Sequence, residues 1–264
     1  MRFFLGTHHP DWLARVRVPL YVSQHSLSPL SSLPHLVDGG VWGLDSGAYT
    51  ELTRYGRWRL GARAYAQLVR RYHDEIGPPC HIAQLDWPCE DESLAKTGLS
   101  VEEHQRATIS NGLELRSLEP DLPWMLVLQG RRTRDYLVDH LEQWLAAGIN
   151  LREEPIVGLG SICRKGNTLP VALMISRLAR LGLRLHTFGY KTTGLISSAA
   201  DIVSSDSLAW SRAARWAARH PRHQHGHCGN CIDYALAWRA ELLERVDRAH
   251  PGVVEDLLPL NHTA

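Results

Sequence analysis

Eight short apolar runs, most of them separated by stretches with helical spacing, constrain this chain more than any other feature. The runs are Arg2–Gly6, Val18–Ser23, Val41–Asp45, His81–Asp86, Trp124–Gln129, Ile156–Gly160, Leu183–Gly189 and Ile202–Ser205. Several are continuously apolar, as expected of strands buried on both faces. Strand and helix in alternation predict a parallel sheet, and eight units predict closure. The expected fold class is therefore α/β, a (β/α)8 barrel, and 264 residues suit one such barrel or two smaller domains.

The helical stretches carry their own boundaries. Ala62–Ile76 has apolar residues at helical spacing and stops at Gly77-Pro78-Pro79. Val101–Leu118 follows Ser100, and Glu103 three residues on fits a capping box. Arg134–Ala147 ends at Gly148, and Pro170–Leu181 ends at Gly182. The Ser- and Pro-rich stretch after the second strand promises little helix. Five cysteines, mostly scattered, argue against a disulfide framework. The amino terminus turns polar at once and no apolar run is long enough to cross a bilayer, so the expectation is a soluble protein of a reducing, cytoplasmic compartment. A formal net charge of +1 means that any nucleic-acid role must rest on a local basic face.

Most of the strands end at a residue that can do chemistry, and the carboxyl ends of barrel strands are where such folds build their sites. Asp45 opens Asp45-Ser46-Gly47-Ala48-Tyr49, in which the small residues Ser46 and Gly47 let a flat ligand approach the backbone and Tyr49 can stack on it. The plain alternative is a tight turn with a capping Asp. Asp86 can accept from an edge such as guanine N1–H and its amino group, or can cap a loop. Gln129-Gly130 offers an amide beside an open N–H, and Gly158-Leu159-Gly160 adds exposed backbone. Asp206 reads two ways: as the N-cap of a helix over Ser207–Arg219, or as a carboxylate nucleophile aimed into the barrel mouth.

After Asp206 the pattern changes. Arg212, Arg215 and Arg219 share a helix face that either tracks a phosphate backbone or is simply solvated. His223, His225, Cys228 and Cys231 have the spacing of a structural zinc site, against a surface loop with two thiols as the alternative. His227 and His250 compete as ligands, but a straight final helix would hold His250 about 28 Å from Cys231. The reading divides the chain into a barrel domain, 1–219, and a C-terminal zinc-binding segment and helix, 220–264.

Together these strings resemble the tRNA-guanine transglycosylase superfamily, and most closely its short DNA-modifying branch, the DpdA-type deazapurine transglycosylases of phages and bacterial genomic islands. The resemblance runs from about Val41 to Trp210. It rests on Asp45-Ser46-Gly47-Ala48-Tyr49, with one family Gly replaced by Ala, on Leu85-Asp86, where the following Trp-Pro departs, on Leu128-Gln129-Gly130, on Gly158-Leu159-Gly160, and on Asp201-Ile202-Val203-Ser204-Ser205-Asp206. The superfamily's tRNA enzymes are longer and bind zinc through Cys-x-Cys-x-x-Cys and a distant His; this chain keeps only the last two cysteines.

The resemblance implies exchange of guanine in DNA for a 7-deazaguanine such as preQ0, a pentosyltransferase reaction, in a modification that protects DNA from restriction. It implies Asp206 as nucleophile and Asp45 as general acid/base. Ser46, Gly47, Tyr49, Asp86, Gln129, Gly130, Gly158, Gly160 and Phe188 would hold the base. Structural Zn2+ is the cofactor it suggests, with no nucleoside triphosphate or redox group. The alternatives are a tRNA transglycosylase with the same chemistry, and a zinc-stabilised DNA-binding barrel without activity.

Overall fold

The computed structural model describes residues 1–163, 169–217 and 227–255. Eight parallel strands close into a barrel in chain order. They are β1 (Arg2–Thr7), β2 (Leu20–Ser23), β3 (Trp42–Asp45), β4 (Ile82–Ala83), β5 (Trp124–Leu128), β6 (Val157–Leu159), β7 (Leu185–Thr187) and β8 (Ser204–Ser207). Closure comes from β8 on β1, with Phe3 opposite Ser205 and Phe4 opposite Asp206. All eight expected strands form, the fourth cut from His81–Asp86 to Ile82–Ala83, so that Asp86 stands in the loop three residues beyond it. The last runs two residues further than its apolar run, through Asp206 and Ser207, because residues at the barrel mouth are polar and the hydrophobic signal stops before the hydrogen bonding does.

The helices are α1 (Gln24–Leu27), α2 (Ala48–Tyr55), α3 (Ala62–Ile76), α4 (Asp91–Thr97), α5 (Val101–Leu118), α6 (His140–Ala146), α7 (Leu169–Arg180), α8 (Thr192–Ser198), α9 (Ala209–Ala214) and α10 (Ile232–Ala249). Helix α3 has its expected bounds because Tyr65, Ala66, Val69, Tyr72 and Ile76 form one buried stripe. The capping box of α5 is also present: Ser100 Oγ accepts from the Glu103 N–H at 3.2 Å, and a Glu103 oxygen accepts from the Ser100 N–H at 2.8 Å. Before α6 the chain makes a π-helical turn over Asp135–Asp139, within the stretch read as plain helix. The helix expected over Ser207–Arg219 is cut to Ala209–Ala214 among the described residues, since Ser207 is still strand and the Ala209 N–H is held by Ser207 Oγ at 3.2 Å.

Helix α10 belongs to the barrel's outer layer. Arg239 donates to the Phe3 carbonyl at 3.2 Å, His250 Nε2 meets the Ile196 carbonyl at 2.8 Å, and the Met1 amino group meets the Val253 carbonyl. Inside the barrel, Phe4, Tyr21, His81 and His186 fill the floor below the mouth, with the two imidazoles 4.9 Å apart between ring centres. Burial pushes His186 down to about 3 and His81 well below the usual range, so both rings are neutral. No helix among the described residues is long and apolar enough to cross a membrane.

Candidate active site

A cavity of about 590 Å3 opens at the carboxyl ends of the strands, a volume within the range of small-molecule sites. Asp45, Gly47, Tyr49, Asp86, Gln129, Gly160, Phe188 and Asp206 all line it. The fold thus brings eight of the eleven expected base-site and catalytic residues to one cavity.

None of the three aspartates is a helix cap. Helix α2 is capped by Gly47, α4 by Glu90 and α9 by Leu208, in each case without a capping side chain. Gly47 sits at φ +76°, and a Cβ there would lie 2.3 Å from the His25 ring, so only glycine permits this turn. Asp45 ends β3 and is held by the Ser23 hydroxyl and the Gly47 N–H. Asp206 stands within β8, where its Oδ1 accepts from the Gly189 N–H at 2.9 Å, and its side chain is only 13% exposed. It is therefore a pocket-wall residue of a strand and not the first residue of a helix.

These carboxyls hold protons close to neutral pH. Burial pushes Asp45 up to about 6, with the charge of Asp206 adding to it and bonds from Ser23 and Gly47 opposing it. Burial raises Asp206 to about 7 against the Gly189 N–H, and raises Asp86 to about 7 with help from Asp45. The charged forms lose water that the protein only partly replaces. Beneath Asp206, His186 Nδ1 pairs with Ser204 Oγ at 2.8 Å, which leaves Nε2 facing Asp206 Oδ1 at 3.5 Å, beyond a good hydrogen bond.

Asp86 heads a chain of polar groups. Its Oδ2 accepts from Gln129 Nε2 and its Oδ1 from Ser46 Oγ at 3.3 Å. Ser161 Oγ lies 2.6 Å from Gln129 Oε1 and 2.9 Å from a Glu90 oxygen, and it accepts from the Cys89 N–H at 2.7 Å. Gln129 is fixed through its backbone as well: its N–H donates to His140 Nδ1 at 2.9 Å and its carbonyl accepts from Gln105 at 2.9 Å. Ser161 has φ +56°, the one positive value outside glycine among the described residues, and the Tyr136 hydroxyl lies among the carbonyls of Gly130, Gly160 and Ser161. Strained backbone and a π-helical turn meeting at a pocket are common companions of function. The result is a pre-set row of donors and acceptors, suited to a flat heterocycle edge.

Three expected residues stand back from the cavity. Ser46 is buried behind it as a partner of Asp86. Gly130 packs under Asp135 and Tyr136. Gly158 makes room for a ring: a Cβ there would be 2.6 Å from Phe188, so its function is to let Phe188 lie across the floor. Sequence reasoning missed Tyr21, Ser23, His25, Glu90 and Ser161, which carry no local motif, and also Arg54, Tyr55 and Arg59, which do. Their run, Arg54-Tyr55-Gly56-Arg57-Trp58-Arg59, interleaves basic and aromatic residues.

The family model of DpdA, DeoxyPurine in DNA protein A, matches residues 1–257. The chain belongs to the DpdA family. Membership associates it with deazapurine modification of DNA and points to DNA as the substrate class. No curated protein matches the chain. The match extends well beyond the stretch from Val41 to Trp210 whose motifs carry the resemblance, and includes β1, β2 and α10.

For this DpdA member the C-terminal expectations fare unevenly. Cys228 and Cys231 are buried in one turn, closed by the Cys231 N–H on the Cys228 carbonyl at 3.0 Å, and they pack with Ala214 and Tyr234. His223, His225 and Arg219 lie outside the described residues. Among the described residues no group of three or more His, Cys, Asp or Glu side chains is gathered to hold a metal. His250 is engaged with Ile196 at the far end of α10, and His227 Nδ1 accepts from the Gly229 N–H at 3.1 Å. Arg212 and Arg215 do not line the cavity, and Arg215 packs beside Gly229.

Proposed function

We propose that this protein exchanges guanine in DNA for a 7-deazaguanine base through a covalent link to Asp206. The observation that carries this reading is the meeting of Asp206, Asp45 and Asp86 in one buried cavity beside a fixed row of amide and hydroxyl groups. An Asp206 oxygen attacks C1′, the C1′–N9 bond breaks, and the departing guanine takes a proton from Asp45. The incoming deazapurine returns its N9 proton to Asp45, N9 attacks C1′, and Asp206 is released. Two displacements at one carbon retain its configuration and split one barrier into two.

A nucleotide reaches such a cavity only when flipped out of the duplex. Asp86 would accept from the base's N1–H and amino group, with Gln129 and Gly160 beside it. Tyr49 and Phe188, which line the cavity, would stack on its faces. A free base such as preQ0 is the second substrate under this reading.

Zinc would be held by Cys228 and Cys231, whose shared turn suits two thiolates, together with His223 and His225. When bound it would supply structural cross-linking of the C-terminal segment to α9 and α10.

The test is an exchange assay with a radiolabelled base, offered with duplex DNA and in parallel with tRNA. Incorporation into DNA, with a denaturant-resistant protein–DNA adduct, is expected. Label entering tRNA alone would move the activity to the tRNA branch, and neither product would leave a binding module.

A further inference from the structure

We propose that the run Arg54–Arg59 at the lip of the cavity is the docking site for the phosphate backbone of the DNA strand whose nucleotide enters the cavity. This rests on the base-exchange reading and specifies where its polymer is held.

Position is the first argument. Helix α2 starts at the Asp45-to-Tyr49 turn and ends at Tyr55, so one short helix joins the proposed acid/base to the basic run. Arg54, Tyr55 and Arg59 line the same cavity as Asp45 and Asp206. A strand giving up one nucleotide to that cavity has its adjoining phosphates at the lip.

Rigidity is the second. Arg59 is gripped by buried Glu51, with its guanidinium 2.6 Å from Oε1 and its backbone N–H 3.1 Å from Oε2. Burial pushes the Glu51 carboxyl up, but the Arg59 bonds outweigh it and hold the group ionised below its usual range. The same guanidinium lies 3.8 Å over the Tyr55 ring, and that of Arg54 lies 5.4 Å from it. Trp58 Nε1 donates to the Asp86 carbonyl at 3.1 Å, tying the run to the loop that follows β4. Arg59 and the backbone of the run are thus set before any ligand arrives, which lowers the ordering cost of binding.

Charge is the third. Glu51 neutralises Arg59, while Arg54 and Arg57 are exposed and have no ion-pair partner among the described residues. Arg54 on the cavity wall and Arg57 three residues on, beside the bracketed Arg59, give a DNA-modifying family member two uncompensated cations that fit a phosphate backbone. Guanidinium groups suit the planar, paired oxygens of phosphate. Such contacts set position and carry no sequence information.

The test measures binding of a fluorescent duplex oligonucleotide across a salt series, for the intact protein and for three double variants. R54Q/R57Q is expected to weaken binding on the order of tenfold at physiological salt and to lower the slope of log affinity against log salt by about two. R54K/R57K should keep most of the slope, since counterion release follows charge. R177Q/R180Q, an equal charge loss at the C-terminal end of α7 on the opposite face of the barrel, should leave it unchanged. Wild-type affinity and slope in R54Q/R57Q would overturn the proposal, and so would an equal drop in R177Q/R180Q. The covalent adduct is read separately in the intact protein. Adduct formation with an unchanged R54Q/R57Q slope sinks the docking site alone. A lost slope without any adduct or exchange by the intact protein supports the docking site and sinks the base-exchange reading. Failure of the intact protein to bind DNA overturns both.

Discussion

Asp206 carries opposing demands. As a nucleophile it must be ionised, yet burial raises its carboxyl to about 7. Asp45 at about 6 and Asp86 at about 7 share the cavity, so the site keeps a proton at hand while forming its first negative charge. Adduct formation should therefore follow a bell-shaped pH profile with its maximum between about 6 and 7. The acid limb reports ionisation of the attacking group, and the alkaline limb reports loss of the last proton for the departing base. A rate that stays flat from mildly acid to mildly alkaline pH would contradict the shared-proton arrangement. Asp206→Asn keeps an acceptor for the Gly189 N–H but no nucleophile, so adduct and exchange should both vanish. The same variant should be more stable than the parent at pH 8. The folded carboxyl holds its proton to about 7 while an unfolded one releases it near 4. The folded state therefore binds more protons in between, and stability falls as pH rises through that window. Removing the group should return roughly 2–4 kcal/mol at pH 8 and little below pH 4, measured by denaturant unfolding.

At the scale of elements, local signals specify the helices better than the loops that build the site. Helix α5 shows its start in Ser100 and Glu103, and both reciprocal bonds form. Ser100→Ala should cost about 1 kcal/mol of unfolding free energy while leaving exchange unchanged, because the cap lies on the exposed end of a scaffold helix. A larger loss, or altered exchange, would mean that this end of α5 reaches the cavity. The β3–α2 turn is equally legible, since Gly47 is the residue that tolerates its left-handed backbone against His25. By contrast, the extent of β8 and the π-helical form of the turn at Asp135–Asp139 are not legible in the sequence. Polar strand residues at a barrel mouth break the apolar pattern, and a π-helical turn differs from an α-helix by one inserted residue that periodicity cannot register.

At the scale of the whole molecule, the C-terminal helix is tied to the barrel near its middle and at its carboxyl end. Helix α10 is anchored on Phe3 and, through His250, on Ile196, and the Cys228–Cys231 turn is buried against Ala214. We expect about one zinc per chain by metal analysis of untagged protein, with chelation loosening the segment around Cys228 before the barrel unfolds. Protein with no zinc, or barrel and segment melting together on chelation, would count against a structural site there.

The sequence by itself determined the strand–helix alternation, the closure it predicts, and the placing of Asp45, Gln129 and Asp206 at the carboxyl ends of strands, with Asp86 in the loop that follows one. Those properties follow from apolar periodicity and from the residue at which each run stops. Only the tertiary structure decided what these residues meet. His25 against Gly47, Ser161 between Gln129 and Glu90, and His186 beneath Asp206 come from different strands and loops. The raised carboxyls have the same origin. Burial is a property of all eight strands closed together, and no single run of residues contains it.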